Sequence, residues 1–470
     1  MNVDTECDFG TLPVVAWVRV LEHLPLKDRY HASLVCSNVF EAFSHPSLWH
    51  SVTLTVEGGS GKFRSLHVVN IPQRNFHLVQ KFGRMFHHIT FSVLAPLDES
   101  FGEWNTVLAD NIKRFNASSL TFDVGGLKNI AKGGVMRTLT ENIKPMVDLV
   151  RNSLYLKSLV IKSWPTFASS LNKADENVFQ AAMDNDKIKN LTKLSIFDCD
   201  SVAWSERRPL LLPVDLTHKM VEHFKSLTHL ALRSPMLSED LIRCLSCGDR
   251  QRLQQLKISI NYLPQNESFE IPQITDSVWR DFTNHNTKVR VHVLVLSRVP
   301  HHSMEMFLRP SCPLYNIRFG EFVRCDKEFV AYLANTFTSS LETFEYYEED
   351  GDFEQELISL VECSSQLCRL VYCGKISIKH VIHLAELRGA EWQVLHLARK
   401  NIYTVPTNAN EPEIDGDTVI AKNSSGEYVL VNMLKFHEQT SITSNGEEEQ
   451  IMIDRVSQKL GRKWFPDSDM

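Results

Sequence analysis

Ten cysteines and nineteen histidines are the most reactive side chains in this 470-residue sequence, and their spacing shows whether metal or nucleophilic chemistry is open to it. Cys244-x-x-Cys247 is the one CxxC. A structural zinc site wants a second thiolate or imidazole pair at suitable spacing, and none follows, so the two read as core or surface thiols. His87-His88 and His301-His302 are the only adjacent histidine pairs, and no cysteines surround them at metal spacing. Cys363, Cys368 and Cys373 stand five residues apart, which fits packing around a strand. A nucleophilic cysteine needs cationic or imidazole neighbours to hold its thiolate, and the sequence singles none out. Gly58-Gly59 (with Gly61), Gly125-Gly126 and Gly133-Gly134 form neither GxGxxG nor GxxxxGK(S/T), so no phosphate cradle is supported. GxSxG and HExxH are absent. The expectation is a chain without catalytic residues, metal or cofactor.

The elements behind these side chains belong to a globular protein. Hydrophobic residues make up 43% and charged residues 23% of the chain, a composition that can bury a core. The net charge of −7 and pI near 6.3 argue against a general binder of nucleic acid or anionic membrane, which would want excess Lys and Arg. The first residues, MNVDTECDFG, lack the basic and apolar regions of a secretory signal, and no uncharged apolar run is long enough to span a bilayer. Cysteines usable as core thiols fit a reducing compartment, so cytoplasm and/or nucleus is expected.

Residues 12–49 read as three short helices. Leu12-Pro13 opens the first, since proline at a helix start loses no needed N–H. Trp17, Leu21 and Leu24 recur at helical spacing, with Val14 and Val20 widening the stripe. Pro25 stops that helix and Asp28 is the expected cap of the second, which Leu34-Val35 close ahead of Cys36. Phe40 and Phe43 mark a third, and Leu48-Trp49 follow a Ser-His-Pro break. So small a unit buries little surface and tends to need a partner or neighbour. Leu12, Pro13, Leu34, Val35, Cys36 and Leu48 are candidates for a docking surface. For each, the module's own core is the alternative.

A different order runs from about residue 53 to 405. The pattern apolar-x-x-apolar-x-apolar occurs eleven times, from Phe86/Ile89/Phe91 through Leu156/Leu159/Ile161, Leu253/Leu256/Ile258, Val291/Leu294/Leu296 and Leu314/Ile317/Phe319 to Trp392/Leu395/Leu397. The mean step is about 31 residues, with amphipathic stretches such as Phe329–Phe337 and Val381–Leu387 between copies. A strand-plus-helix unit follows: the last two apolar positions alternate onto one face of a short strand, and the first anchors the loop entering it. One unit cannot bury its apolar side alone, but a stack makes a continuous core behind a parallel sheet. The expected fold class is α/β, a three-helix module at 8–52 followed by an irregular leucine-rich-repeat-like solenoid at 53–405. Spacing of 23 to 39 residues also leaves open an ordinary α/β domain. Residues 406–450 are polar, with a hairpin expected in TVIAKNSSGEYVLVNML. Ile451–Trp464 is expected to be a helix that docks back as a cap, ahead of a short tail to residue 470.

The N-terminal module resembles an F-box, through Leu12-Pro13, the helix to Leu24, Asp28, Leu34-Val35-Cys36 and Leu48-Trp49. One position departs: the family's usual Trp is Val39 here, with Phe40 beside it to supply aromatic volume. FKSLTHLALRSPMLSEDLIRCL, IKHVIHLAELRGAEWQVLHL and VSQKLGRKW resemble the bodies of F-box-only members of that family. The resemblance implies a non-catalytic substrate receptor of an SCF-type cullin–RING ubiquitin ligase. Its F-box would bind the Skp adaptor, and through it the cullin–RING scaffold, by Leu12, Pro13, Leu34, Val35, Cys36 and Leu48, while the repeats select a target protein. An interaction protein that binds the adaptor without directing ubiquitination is the alternative. Glu348-Glu349-Asp350, Glu447-Glu448-Glu449 and the exposed one of Tyr346 and Tyr347 are either solvated surface or target contacts.

Overall fold

The computed structural model describes residues 12–56, 68–70, 76–93, 110–111, 114–124, 136–164, 177–197, 212–261, 271–403, 414–415, 418–422, 428–432 and 446–466. The glycine pairs named above lie outside them. The chain divides into two compact units, taken in turn.

The first unit, Met1–Cys199 with Arg207–Leu232 and Cys247–Leu253, opens with α1 (Val14–Glu22), α2 (Leu26–Ala32), α3 (Ser37–Phe43) and a 3-10 turn at Pro46–Trp49. Pro13 and Pro25 are the N-caps of α1 and α2, so Asp28 sits in the first turn of α2 and not at its cap. There its charge complements the helix dipole. Strands β1 (Ser51–Val56), β2 (Val68–Asn70), β3 (His88–Val93), β4 (Ser119–Asp123), β5 (Ser158–Ser163), β6 (Lys193–Ser195) and β7 (His229–Arg233) follow. Helices α4 (Phe76–Phe82), α5 (Met136–Asn152), α6 (Val178–Met183) and α7 (Val214–His223) lie between them in sequence. Strand order is β2-β1-β3-β4-β5-β6-β7, and every pair is parallel.

The register explains the repeat. Ile89 pairs with Leu120 and Phe91 with Phe122; Leu120 pairs with Leu159 and Phe122 with Ile161. These side chains are at most 1% exposed. β1 adds a copy that the sequence reading passed over, Trp49/Val52/Leu54, with Val52 opposite Ile89 and Leu54 opposite Phe91. Its ladder is the same too. His50 O accepts from the N–H groups of His87 and His88, just as His87 O accepts from those of Ser118 and Ser119. Trp49 therefore ends the helical module and is also the first loop anchor of the repeat series.

The second unit comprises Asp200–Glu206, Arg233–Ser246 and Gln254–Met470. It contains α8 (Glu239–Leu245), β8 (Gln255–Ile260), α9 (Asp276–His285), β9 (Arg290–Val295), α10 (His301–Phe307), β10 (Leu314–Phe319), α11 (Lys327–Thr336), β11 (Thr343–Tyr346), α12 (Glu354–Cys363) and β12 (Arg369–Tyr372). β13 (Ile376–Ser377), α13 (Ile378–Arg388), β14 (Val394–Leu397) and β15 (Ile402–Tyr403) follow. Its parallel sheet runs β14-β12-β11-β10-β9-β8, and β13 pairs with β15. One repeat copy needs correcting. Val291, Val293 and Val295 carry the buried alternation of β9, with Val291 opposite Leu256 and Val293 opposite Ile258. Leu294 lies on the other parity. A register shift between Leu314 and Asn316 realigns β10, so that Ile317 meets Val293 and Phe319 meets Val295.

The expected hairpin forms from β17 (Thr418–Lys422) and β18 (Tyr428–Asn432), paired antiparallel, with β16 (Ile414–Asp415) beside β17. The terminal helix α14 (Gly446–Leu460) packs on α13. Gly461, at φ 63°, ends it, a conformation that glycine adopts without strain. Trp464 lies beyond the helix, 7% exposed, and its Nε1 donates to Leu395 O at 2.8 Å. The segment thus covers the last strand of this sheet, an edge that would otherwise invite another chain.

Candidate functional site

The helical module is held by a residue that the sequence reading did not mark. Arg29 is 8% exposed. Its Nε donates to Leu24 O at 2.7 Å, Nη2 to Glu22 O at 3.1 Å and Nη1 to Leu48 O at 3.3 Å. One guanidinium thereby serves unmet carbonyls at and just beyond the end of α1 and one in the 3-10 turn. Burial lowers its pKa and Glu22 opposes that, yet guanidinium stays charged at any ordinary pH. Arg29→Met keeps most of the stem and drops three charge-assisted bonds. It is expected to cost about 2 kcal/mol, read from the urea midpoint; an unchanged midpoint would mean the bonds contribute nothing net.

Around this anchor Val18, Leu21, Val39, Ala42, Phe43, Leu48 and Trp49 form the interior. Leu48, expected on the docking surface, is 5% exposed. Its carbonyl meets Arg29 and its side chain lies in the core. Val39, at 1% exposure, fills the position where the resemblance leads one to expect Trp. Phe40 does not replace that volume inside: it is 50% exposed, with Lys81 Nζ 4.9 Å from its ring centroid.

The other candidates reach solvent. Leu34 and Val35 are 67% and 78% exposed. They do not close α2 but lie in the turn after it, where their N–H groups donate to His31 O and Ala32 O. Pro13 is exposed, Leu12 half-buried, and Cys36 half-buried at the N-cap of α3. Twelve large apolar side chains are exposed among the described residues, and six of them, Val15, Val20, Tyr30, Leu34, Val35 and Phe40, fall within this one short module. Scattered apolar surface needs no explanation, whereas such concentration in one module is uncommon on a surface facing only water.

The remaining candidates have mostly structural roles. Glu349 pairs with Lys400 at 2.6 Å and Asp350 with Arg324 at 2.5 Å, so this acidic group is largely met by the chain's own cations. Glu449 pairs with Arg399. Tyr346 is buried, while Tyr347 is half-buried and donates to Glu345 Oε2 at 2.9 Å. His87 stacks on His50 with ring centroids 4.8 Å apart, and the His88 ring lies tilted beside it at 4.6 Å. Burial first, then the two neighbouring rings, pushes the His88 pKa down. Cys373 is buried and Cys363 exposed on either side of β12. No described helix is long and apolar enough to cross a membrane.

Comparison with known proteins agrees with this geometry. The F-box-like family profile matches residues 9–55, the module and the first strand after it. F-box/LRR-repeat protein 21 of Ovis aries is 25% identical over 320 residues, 67% of this chain and 66% of that protein, and its Mus musculus counterpart is 25% identical over a similar stretch. The chain thus spans just under two thirds of the length of these relatives. F-box only protein 33 of Homo sapiens is 21% identical over 461 residues, covering 84% of this chain and 77% of that protein. The chain thus carries an F-box-like module at its start, is similar to F-box/LRR-repeat and F-box-only proteins, and has as its body an α/β solenoid of strand–helix repeats.

Proposed function

We propose that this protein is the substrate-recognition subunit of an SCF-type cullin–RING ubiquitin ligase. Its helical module docks on the Skp adaptor, and its repeats hold the protein to be ubiquitinated. The supporting observation is the run of exposed apolar side chains in a module matched by the F-box-like profile. Leu12, Pro13, Leu34, Val35 and Cys36 are the contacts assigned to the adaptor, in helix-on-helix docking. The chain contributes no reacting group. Its part is proximity: a held target meets the ubiquitin-loaded enzyme of the scaffold at high effective concentration.

The test is capture of purified Skp adaptor and cullin by the full chain. Leu34→Asp combined with Val35→Asp places two charges where an apolar partner would desolvate them. Both sites are exposed in the free chain, so folding should be preserved. Adaptor affinity is expected to fall about 100-fold or more, with an unchanged circular-dichroism spectrum. Undiminished capture would remove this surface from the adaptor contact. No capture by the unaltered chain would remove the receptor reading itself.

A further inference from the structure

The sheet of the second unit has one face of core residues such as Leu256, Ile258, Val291 and Val293. Its other face carries Lys257 on β8, Arg290 and His292 on β9 and Arg318 on β10, with Arg369 two strands further on. No carboxylate stands at the matching positions of β8, β9 or β10. Two carboxylates border it: Glu345 on β11 is buried and already engaged, with Arg318 Nε 2.5 Å from its Oε2 and the Tyr347 hydroxyl donating to the same atom, and Glu342, just before β11, is hydrogen-bonded to the Tyr315 side chain. Arg290 and Arg369 are exposed and form no ion pair among the described residues. The Arg290 guanidinium instead lies 4.2 Å from the Tyr315 ring centroid, a cation–π contact that limits its freedom. Asn316 Oδ1, on the same strip, is buried without a hydrogen-bond partner. His292, between these groups, is pushed down to about 4 by burial and then by Lys257, Arg290 and Arg318. A cationic strip on a chain of net charge −7 runs against the character of the whole, and its complement is an anion.

We propose that this face binds an extended acidic segment of the target protein, whose Asp or Glu carboxylates meet Arg290 and Arg369. That the ligand is a ligase target rests on the function proposed above; the charge selectivity does not. Arg290 and Arg369 stand three strands apart and two residues out of register, about 16 Å at the usual strand spacing and rise, a distance that an extended peptide covers in about four to five residues. The fitting segment therefore carries carboxylates about four residues apart. A nucleic acid fits less well, because it binds through many phosphate contacts and the strip offers two exposed arginines.

The full chain, with adaptor if the two co-purify, is titrated against a fluorescein-labelled glutamate–alanine peptide of about 12 residues with glutamates four apart, and against its glutamine counterpart. At low salt the glutamate peptide is expected to bind at least about tenfold more tightly. Arg290→Gln with Arg369→Gln should remove that preference while the melting curve stays in place. Arg290→Glu with Arg369→Glu should prefer the corresponding lysine peptide, an outcome that misfolding cannot produce. Equal binding of the glutamate and glutamine peptides, an unaffected Gln double variant, or equally tight binding of an oligothymidylate would overturn the proposal. Adaptor capture is scored separately: peptide binding without adaptor capture removes the ligase reading and leaves this surface, and the reverse removes this surface alone.

Discussion

Trp49→Ala is expected to lower stability by about 4 kcal/mol, the largest loss from any substitution in the helical module. The ring is 3% exposed. It stacks on Phe82 at 4.1 Å and 8°, meets Phe43 edge-on at 5.1 Å, and donates from Nε1 to Phe43 O at 2.7 Å. Alanine leaves a large cavity between the module and α4 and strips a buried carbonyl of its donor. Trp49→Phe keeps an aromatic contact and loses the donor, and is expected to cost about 1.5 kcal/mol. Urea unfolding of the three chains separates the two terms. If alanine and phenylalanine cost the same, the hydrogen bond dominates and the stacking on Phe82 contributes little. If both cost under about 1 kcal/mol, Trp49 does not seat the module on the repeats at all.

The double duty of Trp49 shows what the sequence could and could not reveal. The repeat frame was legible because its last two apolar positions alternate on short strands, and Leu120, Phe122, Leu159 and Ile161 fall opposite one another as that frame requires. The copy at Trp49/Val52/Leu54 was hidden because Trp49 already had a place as the last residue of the helical module. In RVHVLVLS the apolar residues occupy both parities, so Val291/Val293/Val295 and Leu294/Leu296 compete. Only pairing with Leu256 and Ile258 decides between them.

The exposed apolar surface of the module was partly legible for a related reason. Leu34 and Val35 are apolar with no periodic stripe to bury them, and they are exposed. Leu48 is equally apolar and buried, a difference set by the 3-10 turn that carries it. Arg29 could not have been found. An arginine in a short helix reads as solvated, and its partners at Leu24, Glu22 and Leu48 are 5, 7 and 19 residues away. The cationic strip was out of reach as well, since it assembles from strands separated by whole repeats.

Glu354→Ala is expected to cost about 3 kcal/mol at neutral pH, because one carboxylate joins four segments of the second unit. Oε1 accepts from the Ser377 N–H at 2.5 Å and the Ser377 hydroxyl at 2.8 Å, and lies 2.7 Å from His380 Nδ1. Oε2 accepts from the Tyr403 hydroxyl at 2.9 Å. Ser377 in turn caps α13, and Ser377 and Tyr403 are partners in the small β13–β15 sheet. Removing the carboxylate leaves these donors facing a void. Burial would raise the Glu354 pKa, but the bonds from Ser377 and then His380 outweigh it and hold the carboxyl below its usual range. The native state therefore favours the charged form. Its contribution is complete above the unfolded value near 4.5 and is lost as pH falls through the lower folded one. Glu354→Gln keeps the shape without the titration, so its urea midpoint should lie below that of the unaltered chain at pH about 7 and approach it at pH about 3. Parallel acid limbs for the two proteins would show that the carboxylate is not what the four segments share.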